Sequence, residues 1–263
     1  MNLHDLSTQL LFTTAPVWVQ QTSEQSFGTS FIFSLPVPDT ENQQTPFLVT
    51  NAHVVKNARK AIVELVERQG DLPKRGGRLR VEIDGNAITS FMDEPNDLAV
   101  VPIGGLINKL EKQGRPVFFR SITPNLIPNE RALSDLSAIE EVTFIGYPSG
   151  LYDDHNINPI IRRGITATPP WNDFRGKPAF LIDAGVFPGS SGSPVFIMNQ
   201  GAYAEKGGLT IGTRLLFLGV LTEAILRTEP YLPPVFLGLG LVTKAHRVYE
   251  FAEQVRKRFL EKT

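Results

Sequence analysis

FPGSSGSPVF, residues 187–196, has the composition of a hinge and the setting of a core. Apolar runs bracket it, FLIDAGVF (180–187) leading in and PVFIM (194–198) leading out. A flexible linker gains nothing from buried flanks. The stretch therefore reads as a tight turn between core strands, bent at Gly189 and Gly192 and carrying hydroxyls on Ser190, Ser191 and Ser193. Which of these serines does chemistry depends on what the rest of the chain supplies.

Strand-like segments recur along the chain. GTSFIFSL (28–35), PFLVTNAHVV (46–55), AIVELVE (61–67), DLAVVPI (97–103), EEVTFIGYP (140–148), LLFLGVLTEA (215–224) and FLGLGLVT (236–243) are rich in Val, Ile, Phe and Thr and are separated by Gly, Pro, Asn and Asp. Many short strands of this kind argue for barrels or a sandwich. Helical periodicity is clear only from Ala245 onward, where Val248, Phe251, Ala252, Val255 and Phe259 form one apolar stripe suited to a closing cap. Residues 108–129 lack a period and contain Pro116, Pro124 and Pro128, which suits a link between two halves.

Composition bounds the function classes. The 263 residues are 41% hydrophobic, enough for one large core or two smaller ones. With 26 basic and 27 acidic side chains the net charge is -1, so no global field draws the chain to nucleic acid or to an anionic membrane. The one basic run, KRGGRLR (74–80), sits at a Gly76-Gly77 turn and reads as a solvated hairpin. Cysteine is absent, which excludes disulfides, thiolate metal sites and a thiol nucleophile. His4, His53, His155 and His246 are scattered without metal-ligand spacing, so no metal or other cofactor is expected. The first residues carry Asp5 and no basic group ahead of the apolar part, unlike a secretory signal, and no run is long enough to span a bilayer. These features predict a cytoplasmic protein.

Three short stretches carry the chemistry, in the order His, Asp, Ser. LVTNAHVV ends a strand on His53, EPNDLAVVPI opens one on Asp97, and PGSSGSP holds the serines. Singly each has a bland reading: a packed or capping histidine, a turn aspartate binding backbone N–H groups, a loop. Together they are the three groups that nucleophilic catalysis needs, a hydroxyl, an imidazole to take its proton, and a carboxylate to hold the other ring nitrogen. The α/β-hydrolases run Ser, Asp/Glu, His, so the order here is that of the chymotrypsin type.

At these residues the sequence resembles the chymotrypsin-fold serine peptidases, and more closely their cysteine-free bacterial branch, the HtrA-like proteases. TNAHVV (50–55), NDLAVV (96–101) and DAGVFPGSSGSPV (183–195) match the histidine, aspartate and serine motifs. GTSFIF (28–33), GYP (146–148), RGITA (163–167), LFLGVLTEA (216–224) and GLGLVT (238–243) resemble flanking strands, so the likeness runs from about residue 16 to 255. It implies an all-β fold of two six-stranded β-barrels with a C-terminal helix, in a single peptidase domain spanning 1–263. The first barrel would occupy about 10–107, the linker 108–129, the second barrel 130–243 and the helix 244–261. It further implies a serine endopeptidase acting on a peptide or protein substrate, with His53 as base, Asp97 as its orienting carboxylate and Ser191 as nucleophile. The backbone N–H groups of Gly189 and Ser191 would form the oxyanion hole. The pocket for the residue before the cut would be walled by Val186, Phe187 and Pro188 on one side and Leu221, Thr222 and Glu223 on the other. The first wall is uncharged, which favours cleavage after small or medium apolar residues unless Glu223 turns inward to accept a basic one.

Four departures qualify the resemblance. Ser190 stands where the family has Asn or Asp, which removes activation by pairing of a new N-terminus. Ser193 replaces a glycine and places a rival hydroxyl beside Ser191. Residues 199–213 look like a surface insertion, and the chain ends after one helix, without room for the peptide-binding PDZ domain of many relatives. Residues 149–158 and 199–213 are polar or glycine-rich enough to be mobile, which suggests low basal activity raised when an activating protein partner or substrate orders the serine turn; the alternative is surface decoration. Competing functions are a catalytically silent scaffold that binds a peptide or protein partner, and an esterase using the same residues.

Overall fold

The computed structural model describes residues 2–260 apart from 22–23, 39, 41–42, 157, 206–207, 229 and 232. After a one-turn helix α1 (Leu6–Leu10), the first half forms strands β1 (Thr14–Gln20), β2 (Gln25–Pro36), β3 (Gln44–Thr50), β4 (Lys60–Gln69), β5 (Leu72–Asp84), β6 (Met92–Asp93), β7 (Leu98–Pro102) and β8 (Val117–Phe118). Short helices α2 (Ala52–Val55), α3 (Gly85–Thr89) and α4 (Gly104–Lys112) interrupt them. The second half contains α5 (Glu130–Ser134), then β9 (Glu141–Gly146), β10 (Ile160–Thr166), β11 (Ala179–Asp183), β12 (Pro194–Glu205), β13 (Gly208–Arg227) and β14 (Val235–Lys244), and ends in α6 (Ala245–Leu260).

The two-part all-β architecture and terminal helix are those the resemblance implied. The second half is a closed six-stranded barrel, in the order β10-β11-β14-β13-β12-β9. The first half differs from the expected six strands: its sheet has eight, ordered β5-β4-β1-β2-β3-β7-β6 with β8 on β4. Two of them, β6 and β8, are only 2 residues long. The pair in β8 comes from the stretch read as a linker, which also makes a parallel bridge from Ile122 to Phe33, so that stretch is woven into the first sheet. Helix α4 is a second correction. Its Leu106, Ile107 and Leu110 pack on the first core, but a Gly104-Gly105 start and charged neighbours hide the stripe from a periodicity reading.

Each half has its own apolar cluster, built by strands whose alternate residues point inward, such as Ala61, Val63 and Leu65 of β4. A third cluster lies between the halves and explains β2. Residues 28–35 of β2 are buried on both faces, because Ile32 faces the first core while Phe31, Phe33 and Leu35 meet Phe196, Phe217 and α6. Helix α6 seals that cluster with Val248, Phe251, Ala252 and Val255; Phe259, expected in the same stripe, is 49% exposed. The predicted helix end at residue 261 lies outside the described residues. The segment 199–213 is a regular two-stranded ribbon paired as far as Glu205↔Gly208, with residues 206–207 outside the described residues and Leu209 and Ile211 exposed. Among the described residues no helix is long and apolar enough to cross a membrane.

Candidate active site

His53 and Asp97 are brought together by two turns of the first half. Asn51 follows β3 with an extended backbone and caps the single turn of α2, which places His53 second in that turn. Asp97 follows Pro95 and Asn96 with φ 52, a left-handed conformation that Asp tolerates better than most residues. That twist lets the residue hold the start of α2 through both its carbonyl and its carboxylate. Its carbonyl accepts from Ala52 N at 3.2 Å and from Asn51 Nδ2 at 2.8 Å, while its carboxylate accepts from His53 N at 2.9 Å. The second carboxylate oxygen lies 2.7 Å from His53 Nδ1. Because a carboxylate only accepts, Nδ1 carries the proton in the neutral ring and Nε2 is left with a free lone pair.

The serine turn separates its three hydroxyls by burial. Ser190 is 1% and Ser193 0% exposed, whereas Ser191 is half-buried and reaches the surface. Ser193 Oγ has no hydrogen-bond partner among the described residues and sits against Gly146, where a Cβ would collide with it. Ser191 Oγ donates to the Thr222 carbonyl at 3.1 Å; among the described residues it makes no hydrogen bond to His53. Gly189 and Gly192 have φ +85 and +89, and a Cβ on Gly189 would lie 2.7 Å from the Tyr147 carbonyl. Only glycine fits this backbone without strain.

The same turn is stitched to the first half. Thr29, on β2, donates its N–H to Ser191 O (2.9 Å) and its hydroxyl to Gly189 O (2.9 Å). The hydroxyl also accepts from Tyr147 N at 3.0 Å. Ser149 N donates to Pro188 O at 2.6 Å. In a trans peptide the carbonyl and the following N–H point in opposite directions, so this bond turns the Gly189 N–H away from Ser149. Among the described residues neither the Gly189 nor the Ser191 N–H has an acceptor.

The residues expected to wall a substrate pocket do not form one group. Val186 (5% exposed) and Leu221 (0%) belong to the core of the second barrel, meeting where Gly240 lacks a side chain. Thr222 and Glu223 line a cavity behind Asp97 together with Asn96 and Lys177. Phe187 and Pro188 are exposed, and the Phe187 ring is covered by Arg162, whose guanidinium carbon lies 5.0 Å from the ring centre. A terminal nitrogen of Arg162 lies 2.6 Å from where a Cβ of Gly185 would stand. Arg162 makes no ion pair among the described residues.

Residues 28–202 match the family model of the trypsin-like peptidase domain. The chain belongs to the trypsin-like peptidase family. Its fold is similar to that of the HtrA-type protease AlgW with a tripeptide, at a TM-score of 0.55 and 18% identity over 95% of this chain and 62% of that one. A serine endoprotease from Yersinia pestis is similar at a TM-score of 0.52 and 17% identity, over 97% of this chain and 66% of that one. This peptidase domain thus spans about three fifths of the length of the AlgW chain it matches. No curated protein matches the sequence.

Within this trypsin-like peptidase domain, sequence reasoning missed Thr29, Tyr147 and Arg162. Thr29 left little signal, since it shares the polar start of GTSFIF with Ser30, and its partners lie far along the chain and leave no local pattern. Among the described residues no group of His, Asp and Glu is arranged to hold a metal ion.

Proposed function

We propose that this domain is a serine endopeptidase working through an acyl-enzyme at Ser191. The observation that carries the reading is that one serine of three reaches the surface, in a turn whose Gly189 and Ser191 N–H groups have no acceptor among the described residues, while Asp97 already holds His53 through Nδ1. Ser191 Oγ rotates from Thr222 O toward Nε2, one step between staggered wells. It attacks the scissile carbonyl carbon as its proton passes to Nε2, and the carbonyl electron pair moves onto oxygen. The Gly189 and Ser191 N–H groups receive that charge, the largest single contribution in reactions of this kind. Collapse breaks the C–N bond and His53 returns the proton to the leaving amine; water then repeats the sequence on the acyl-enzyme. Asp97 holds the tautomer and stabilises the imidazolium without itself taking the proton.

A second reading, a silent scaffold that binds a peptide or protein partner, is favoured by the Ser191–Thr222 hydrogen bond, which leaves the hydroxyl away from its base. Labelling by a fluorophosphonate probe, with the modified residue mapped by peptide mass spectrometry, separates the two. Modification of Ser191, abolished by Ser191→Ala and retained in Ser190→Ala and Ser193→Ala, is the expected result. Labelling that survives Ser191→Ala, or no labelling at all, would overturn the proposal. Parallel assays on peptide and small-ester substrates distinguish peptidase from esterase.

A further inference from the structure

Glu64 is a carboxylate where an outward-facing residue of a surface sheet is ordinarily solvated. On β4 its neighbours Val63 and Leu65 face the first core, so Glu64 points to the opposite face, yet its side chain has 0% exposure. It is covered from the second half. Tyr152, in the loop that follows β9, reaches it, and its hydroxyl donates to Glu64 Oε1 at 3.1 Å. Two arginines of β5 neutralise the carboxylate: Arg80 Nε lies 3.0 Å from Oε2 and Arg78 Nη1 3.6 Å from Oε1. Arg78 also stands over the Tyr152 ring, 5.7 Å from its centre. A buried charge is tolerable only when paired in this way, and its partners then have little freedom. Burial and the Glu64 carboxylate both push the Tyr152 phenol up, so it remains a donor across the neutral range.

Tyr152 passes this constraint onward. Its ring packs edge-on against Tyr147, 5.5 Å between centres at 76°. Tyr147 is 1% exposed, and its carbonyl is the atom that bounds the space beside Gly189. Two residues later, Ser149 N holds Pro188 O, the bond that sets which way the Gly189 N–H points. From the buried carboxylate to that amide, every link is a hydrogen bond, a ring contact or a short piece of chain.

We propose that Glu64 and Tyr152 are positioning residues for the Gly189 N–H: a latch in which the first half of the molecule sets the oxyanion-binding turn of the second. The proposal rests on the reading of Gly189 as an oxyanion donor. It gives residues 149–152 a role as the arm of the latch, and an activating partner would act by seating or unseating Tyr152 on Glu64.

The test uses the full chain and a fluorophosphonate probe, whose phosphoryl oxygen occupies the place of the oxyanion. The maximal inactivation rate kinact and the half-saturating concentration KI are measured for Tyr152→Phe, Glu64→Leu, Glu64→Gln and the double variant Glu64→Leu with Tyr152→Phe. Tyr152→Phe keeps the ring and removes only the donor, so its fold is the safest of the set. Its kinact is expected to fall about tenfold, a fraction of the loss on deleting an oxyanion donor outright, with KI within about twofold. The double variant should fall no further than the singles, because they break one device. Glu64→Gln retains an acceptor for the phenol and should keep most of the rate. Hydrogen exchange at the Ser149 amide should accelerate in Tyr152→Phe. A kinact in Tyr152→Phe within about twofold of the parent, or losses that add and track the fall in Tm, would overturn the latch. If the parent is labelled at Ser191 and Tyr152→Phe reacts equally fast, the latch alone fails. If Ser191→Ala is still labelled, the reading of the turn fails and the latch with it.

Discussion

The histidine side and the serine side of the candidate site are built on different plans. His53 and Asp97 are joined entirely within the first half, by two hydrogen bonds to the carboxylate and two to the carbonyl of the same aspartate. The Ser191 turn is held from outside. Thr29 of β2 grips its backbone, Ser149 sets the peptide ahead of Gly189, and Ser191 Oγ itself is engaged by Thr222. The His53–Asp97 pair needs only contacts made within the first half, whereas the Ser191 turn takes its backbone contacts from both halves. On the proposed function, this makes the serine turn the side on which activity would be controlled.

The sharpest way to break the histidine side is Asp97→Asn. An amide offers an N–H where the imidazole needs an acceptor, so the ring adopts the wrong tautomer while the Ala52 N and Asn51 Nδ2 contacts to the carbonyl of residue 97 survive. Turnover is expected to fall by about four orders of magnitude, the figure for the same change in a digestive serine protease, with near-normal Tm. A loss of less than about tenfold, measured on any substrate the parent cleaves, would reduce Asp97 to a turn residue.

On the serine side, Gly189→Ala is the matching experiment. The new Cβ would press on Tyr147 O at 2.7 Å and on the Phe27 ring at 3.0 Å, in a backbone of φ +85 that alanine resists. The turn should shift and remove the Gly189 N–H from the developing oxyanion, lowering kcat by about a hundredfold to a thousandfold. Circular dichroism should show the barrels intact. An unchanged kcat would mean that this amide does not serve the reaction.

What could be read from the sequence follows the same division. The strands and the cap helix were legible because burial repeats with period two or with helical spacing over short windows, whereas the barrel of the second half came from the resemblance. His53, Asp97 and the serine turn were legible because each sits in a compact run, TNAHVV, NDLAVV or PGSSGSP. Thr29, Glu64 and Arg162 were not, since each acts through a partner remote in sequence: Gly189, Tyr152 and Phe187. The expected pocket walls show the limit of local reading. Val186 and Leu221 have the character of pocket residues and also that of core residues, and the closed barrel takes them inward.

Arg162 makes the specificity of the serine side testable. Its guanidinium stands over Phe187 and beside Gly185, without an ion-pair partner among the described residues. A lysine or arginine side chain of a substrate approaching this wall meets like charge, so a peptide library should show cleavage after apolar residues exceeding cleavage after basic ones. Arg162→Glu should reverse the sign and raise cleavage after basic residues about tenfold relative to apolar ones. Predominant cleavage after Arg or Lys in the parent, lost on Glu223→Gln, would instead assign the selecting charge to Glu223.

The smallest effect belongs to the rival hydroxyl. Ser193 Oγ is fully buried and has no hydrogen-bond partner among the described residues, while its backbone frames the turn: its N–H donates to Ser190 O at 3.0 Å and its carbonyl accepts from Leu221 N at 2.9 Å. Removing a buried hydroxyl that has no partner forfeits no hydrogen bond and relieves a desolvated polar group, so Ser193→Ala should change stability by no more than about 1 kcal/mol, in the stabilising direction. Fluorophosphonate labelling and turnover should stay within about twofold of the parent, since both backbone bonds remain. The variant thereby tests whether the serine side depends on its backbone frame or on its extra hydroxyl. A large loss of activity at unchanged Tm would place Ser193 Oγ in the reaction path and overturn the assignment of Ser191 as the one serine the fold presents.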